Sequence, residues 1–133
     1  MNRFVIGEPD KCIGCRTCEV ACVLAHPTGA ENDLTPENFR PRLRLVKGLK
    51  MTAPVQCRQC ENAPCVNVCP TNALVYSADT VQLIKERCIG CQTCVLACPF
   101  GAMEIVSKPV EQAELGPVTV RKSVKIAQKC DFC

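Results

Sequence analysis

The chain has 133 residues, a formal charge of +3, no tryptophan and an aromatic content of only 4%, yet fourteen of its residues are cysteine. So short a chain is one domain or two small coupled halves, and its few aromatics exclude a large conventional core. Cysteine at this density is structural, either in disulfides or as metal ligands.

The opening residues, Met1 to Glu8, carry no basic segment followed by an apolar run, so no export signal is read there. No apolar stretch approaches the roughly 18 residues that span a bilayer, so no direct membrane insertion is expected. The expectation is a cytoplasmic protein, where thiols stay reduced and dense cysteines bind metal.

In chain order, Val5-Ile6 reads as a first brief strand. Residues 12–22 then read Cys-Ile-Gly-Cys-Arg-Thr-Cys-Glu-Val-Ala-Cys, with a helical turn over Thr17 to Ala25. A connecting loop follows over 26–41, marked by Pro27, Gly29, Pro36 and Pro41. From Arg42 to Val46 a second strand is expected. Here Arg40, Arg42 and Arg44 alternate with Pro41, Leu43 and Leu45, the pattern of a half-buried strand with a solvated face. With no interleaved aromatics on which bases could stack, the positive charge does not indicate a nucleic-acid partner.

A second cysteine group holds Cys57, Cys60, Cys65 and Cys69, and the strands Ala73 to Tyr76 and Val81 to Ile84 come after it. Residues 88–98 repeat the first group as Cys-Ile-Gly-Cys-Gln-Thr-Cys-Val-Leu-Ala-Cys, identical at eight of eleven positions. Thr93 to Cys98 reads as a helical turn, Met103 to Val106 as a strand and 107–117 as a loop. A fourth group begins with Cys130 and Cys133, and Pro64, Pro70, Pro99, Pro109 and Pro117 punctuate the remainder. The expected fold class is α+β, with tandem bacterial-ferredoxin-like modules of short strands and helices in one polyferredoxin-type domain, 1–133. Its inner two-cluster module spans about 48–107. The outer module is drawn from about 1–47 and 108–133.

Cys-x2-Cys-x2-Cys-x3-Cys-Pro is the bacterial ferredoxin run, in which three cysteines wrap one cubane and the fourth ligates the other. Gly14 and Gly90 let the loop backbone take conformations that a Cβ resists. Pro70 and Pro99 follow the last cysteine of their groups, whereas Val23 follows Cys22. The rule assigns Cys57, Cys60, Cys65 and Cys98 to one 4Fe-4S cluster, and Cys88, Cys91, Cys94 and Cys69 to a second. Cys12, Cys15 and Cys18 would form an outer site lacking its fourth ligand. Cys22, Cys130 and Cys133 would form another, also one ligand short. Each oxidised cubane with four thiolates contributes roughly −2, which offsets the formal positive charge. Zinc ribbons need only two Cys-x2-Cys pairs and do not explain the third and fourth cysteines of each group. A disulfide framework conflicts with both compartment and spacing, and a catalytic dithiol needs one isolated pair.

The chain resembles the HydN/HycB-type four-cluster 4Fe-4S ferredoxin electron-transfer subunits. These are associated with formate dehydrogenase and formate hydrogenlyase and related to the iron–sulfur subunits of DMSO reductase-type enzymes. The resemblance rests on Met1-Asn2-Arg3-Phe4, on residues 11–22 and 57–70, on Arg87-Cys-Ile-Gly-Cys, on 98–103 and on Lys129-Cys-Asp-Phe-Cys133, and so runs through the whole chain. It implies that groups two and three pair, that groups one and four pair, and that a full-length protein carries up to four clusters. Members continue past the second cysteine of group four, so the expectation is a chain truncated at its C-terminus.

The implied function is a relay of single electrons between protein redox partners, with a formate dehydrogenase-like, hydrogenase-like or other molybdenum-dependent oxidoreductase subunit among them. Alternatives are a maturation factor for formate dehydrogenase, or the N-terminal ferredoxin domain of a larger flavoprotein oxidoreductase. No catalytic acid–base pair or nucleophile is evident. Asp10, Glu19, Glu61 and Glu86 are read as solvated surface and His26 as a polar loop residue. Arg58 is a candidate for raising the local potential, and Met51, Met103 and Phe100 are read as local packing.

Overall fold

The computed structural model describes residues 2–27, 34–109 and 123–133. Within them lie three helices and three two-stranded antiparallel sheets. The helices are α1 (Thr17–Ala25), α2 (Pro64–Asn67) and α3 (Thr93–Ala97). The sheets pair β1 (Arg44–Lys47) with β2 (Thr52–Val55), β3 (Leu74–Ser77) with β4 (Thr80–Leu83), and β5 (Glu104–Pro109) with β6 (Ser123–Gln128). Short 3-10 turns at Pro9–Lys11 and Lys85–Arg87 lead into the first and third cysteine groups. The mixture of short helices and small sheets is the α+β class expected of ferredoxin modules.

The two copies of the repeat part company at their helices for a local reason. Pro99 disfavours the α region for the residue before it, so α3 stops at Ala97 and Cys98 turns extended (φ −75°, ψ 113°). Val23 imposes no such stop, and α1 runs on to Ala25, where His26, standing before Pro27, ends it. One proline thus divides a helix of nine residues from one of five.

The expected strands shift by one or two residues, and one is absent. Strand β1 starts at Arg44 rather than Arg42, because the Arg42 N–H is turned toward the Cys22 sulfur at 3.2 Å. Val5 and Ile6 form no strand: no strand among the described residues pairs with them, and the segment is instead tied down when Gln56 Nε2 donates to the Val5 carbonyl. Pro54 hides β2 from a sequence reading, yet a two-stranded sheet tolerates it because every strand is an edge. Ser107–Pro109 belongs to β5 rather than to a loop, while 110–117 and the stretch 28–33 of the first connecting loop lie outside the described residues. Between β3 and β4, Ala78 and Asp79 both take positive φ (52° and 62°), the two-residue turn whose twist matches the flanking strands.

The core is built largely from the second and third cysteine groups. Ala63, Cys65, Leu74, Val81, Cys94, Met103 and Ala127 form its buried centre, with Cys60, Cys69, Cys88 and Cys98 packed against them. The thiols therefore stand where another small protein would put leucine or phenylalanine. By contrast, Ile13 and Ile89, in the matching loops of groups one and three, are 87% and 65% exposed.

Candidate iron–sulfur centres

All fourteen cysteines are free thiols. In each Cys-x-x-Cys loop the residue before the second cysteine is left-handed: Gly14 (φ 75°), Gln59 (φ 49°), Gly90 (φ 69°) and Phe132 (φ 65°). That repeated inversion closes a tight loop and turns its side chains to a common side. Glycine does this without strain in groups one and three. In groups two and four a side chain bears it, at a cost of about 1–2 kcal/mol each.

The structure brings thiols together across groups. Cys69, Cys88, Cys91 and Cys94 line one cavity, whose other walls include Ala73, Leu74 and Ile105. Around group two, the charges of Cys57 and Cys98 both act on Cys65. In the outer half, Cys22 feels both Cys133 and Cys130. Cys12, Cys15 and Cys18 lie on the loop before α1 and at its start, half-buried, exposed and exposed in turn.

The sulfurs accept hydrogen bonds in a pattern that repeats between groups. Ala73 N–H donates to Cys69 at 3.3 Å and Ala102 N–H to Cys98 at 3.4 Å, each from four residues on. The hydroxyls of Thr17 and Thr93 donate to Cys15 and Cys91 at 3.3 and 3.4 Å. Strand β6 adds the Ala127 N–H to Cys88 at 3.3 Å. Donors aimed at sulfur favour the charged thiolate. Cys15 and Cys91 are held below the ordinary thiol range mainly by their threonine hydroxyls. Burial pushes Cys69 up, but bonds from Leu74, Thr71 and Ala73 outweigh it and carry it down.

Deeper thiols go the other way. Burial, then the charges of Cys57 and Cys98, raise Cys65 to about 11. Burial likewise raises Cys57, Cys94 and Cys22. Buried thiols of this kind resist ionising unless a cation joins them to their neighbours, which is the condition a metal cluster meets. An all-sulfur donor set around an apolar cavity suits an iron–sulfur cubane and offers nothing to a hard, oxygen-seeking ion.

Six polar side chains near these thiols take roles that the sequence reading missed. Glu19 is buried, not solvated, and its carboxylate accepts the Leu45 N–H at 2.7 Å. His26 caps α1 and reaches Asp131, 105 residues on, at 2.8 Å, while Arg42 pairs with the same carboxylate. Burial pushes Asp131 up, but Arg42 and His26 outweigh it and hold it below the usual carboxylate range. Gln59, fully buried between Cys57 and Cys60, accepts the Val81 N–H at 2.9 Å and is met by the buried Lys129. No spacing rule signals these partners. The Arg58 guanidinium lies over the rings of Phe4 (5.3 Å to the centroid) and Phe100 (5.8 Å), and Met103 is buried, whereas Met51 is exposed rather than packed.

The LdpA Fe-S cluster-binding domain matches residues 53–109, and a 4Fe-4S binding domain matches residues 9–22. Among curated proteins, the electron transport protein HydN of Escherichia coli K12 is 51% identical over 134 residues, covering all of this chain and 77% of that protein. An iron–sulfur protein of Rhodospirillum rubrum is 40% identical over 139 residues, covering 99% of this chain and 68% of its own length. UacF of E. coli K12, named only provisionally as an oxidoreductase, is 44% identical over 134 residues, yet the match covers just 18% of it.

Proposed function

Because the chain belongs to the HydN-type family of 4Fe-4S electron transport proteins, we propose that it relays single electrons to or from a formate dehydrogenase-like or hydrogenase-like catalytic subunit. A bound 4Fe-4S cluster supplies a one-electron couple, and the protein sets its potential through burial, charge and hydrogen bonds to sulfur. In this reading Cys57, Cys60, Cys65 and Cys98 hold one cluster, and Cys88, Cys91, Cys94 and Cys69 hold another. Cys12, Cys15 and Cys18 serve one outer site, and Cys22, Cys130 and Cys133 serve a second. The observation that carries the assignment is the convergence of Cys69 from group two with Cys88, Cys91 and Cys94 from group three on one cavity. No helix among the described residues is long and apolar enough to cross a membrane, and fourteen free thiols favour placing the protein in the reducing cytoplasm.

Iron, acid-labile sulfide and zinc per chain, measured after anaerobic reconstitution, test the reading. About eight irons correspond to two cubanes, and about sixteen to four. Zinc with little sulfide sinks it. Mixing the reduced protein with a formate dehydrogenase or hydrogenase catalytic subunit then tests the partner, which is wrong if no electrons pass in either direction. A second reading, favoured by the small share of UacF that the chain covers, is that this module serves inside a larger oxidoreductase. Flavin-domain sequence encoded downstream in the same reading frame decides for it.

A further inference from the structure

Strand β6 ends next to Lys129, which precedes Cys130 and is only 3% exposed. A buried ammonium normally sits against a paired carboxylate. Here its Nζ donates instead to the Cys130 carbonyl at 2.7 Å and to Gln59 Oε1 at 3.2 Å. Burial pushes the lysine below its ordinary range, and the charges of Cys57, Cys130, Asp131 and Cys65 oppose that only in part. Its two hydrogen bonds set it against the group-two loop and the start of group four.

Gln59 holds the lysine in place. It occupies the loop position where the sister loops carry Gly14 and Gly90, keeps positive φ despite its side chain, and has no exposed surface. Its amide is committed at both ends: Oε1 accepts from Val81 N–H and Lys129, and Nε2 donates to the Cys130 carbonyl at 2.9 Å. Three segments, the group-two loop, β4 and the start of group four, are thereby locked around one ammonium.

We propose that Lys129, clamped by Gln59, is a fixed positive charge placed between the group-two and group-four thiols, and that it raises the reduction potential of the cluster held by Cys57, Cys60, Cys65 and Cys98. The inference rests on the cluster reading above. One electron arriving from a protein donor adds one negative charge at that site, with no bond made or broken and no proton moved. A neighbouring ammonium in a low-dielectric interior favours that extra charge. Buried Lys129 acts through its field, and Gln59 is the positioning residue.

The test is an EPR-monitored redox titration of the cluster-loaded full chain, native and as Lys129→Met, Lys129→Gln and Lys129→Arg, with iron and sulfide counted in each. The expected result is unchanged iron in the neutral variants and one midpoint lowered by about 59 mV, the equivalent of about a tenfold loss in the one-electron reduction equilibrium. Lys129→Arg should restore it. If Lys129→Met fails to load, Lys129→Gln, which retains a polar contact to Cys130, decides. Loaded neutral variants with native midpoints overturn the proposal. Loss of clusters from both neutral variants but not from Lys129→Arg overturns it as well, since the charge is then structural. A native chain without iron and sulfide overturns the cluster reading itself and is seen before any variant is compared.

Discussion

The carboxylate of Glu19, on the first turn of α1, accepts the backbone N–H of Leu45 in β1 at 2.7 Å, inside a protein where both residues are buried. This bond joins the helix that carries the last two cysteines of the first group to the strand twenty-six residues on. Replacing Glu19 with alanine leaves a buried donor unpaired, a penalty of about 1–3 kcal/mol. Hydrogen exchange at the Leu45 amide should accelerate accordingly, by roughly tenfold to a hundredfold. Glu19→Gln keeps the acceptor oxygen and should retain most of the protection. Equal exchange in the two variants means that the bond contributes little.

The proposed exchange of fourth ligands has a labelling signature. If Cys98 completes the group-two site, Cys98→Ala should remove about four irons per chain. It should expose Cys57, Cys60 and Cys65 to alkylation while Cys88, Cys91 and Cys94 stay protected. Cys69→Ala should give the reverse pattern. Labelling confined to the mutated residue's own group refutes the exchange.

Gly90 and Gly14 occupy matching loop positions but differ in what surrounds them. A Cβ at Gly90 would stand 2.6 Å from Lys125 Cβ and 2.7 Å from its carbonyl oxygen, so β6 itself would have to move. At Gly14 the nearest atom is the flexible Lys47 Cε at 3.1 Å. Gly90→Ala should therefore strip iron from its site, whereas Gly14→Ala should carry only the left-handed strain, about 1–2 kcal/mol. Iron content and the rate of cluster loss on warming compare them. Equal losses would show that backbone strain alone matters.

Thiol reactivity in the metal-free chain should follow the hydrogen bonds to sulfur. Thiolate is the reacting form, so Cys15 and Cys91, exposed and lowered by Thr17 and Thr93, should be alkylated first at pH 8, and Cys65 last. Thr17→Val and Thr93→Val should slow their own cysteines selectively, as peptide mass spectrometry would read. For stability, Cys65 has a folded pKa of about 11, above the roughly 8.5 of a free thiol. A raised folded value means that the unfolded chain releases its proton first. The metal-free fold should then keep full stability below about pH 8.5 and lose it progressively as pH rises toward 11. A urea midpoint that does not fall over that window refutes the assignment.

The sequence by itself determined the chemistry and most of the local structure, because cluster binding depends on short spacings. Cys-x2-Cys-x2-Cys specifies a loop within seven residues, Thr17–Ala25 reads as a helix over its observed span, and the Pro99 that ends α3 stands in plain view. Tertiary structure alone decided what depends on partners distant in the chain. Pro54 enters a strand only because β1 is there to pair with it, and β6 is a strand only because β5 lies beside it. Glu19 becomes buried through Leu45, His26 finds Asp131 105 residues away, and Gln59 meets Lys129 seventy residues on. Such contacts join single residues rather than periodic faces. They therefore leave no repeating trace in the sequence, although they govern the field and the hydrogen bonds around the thiols.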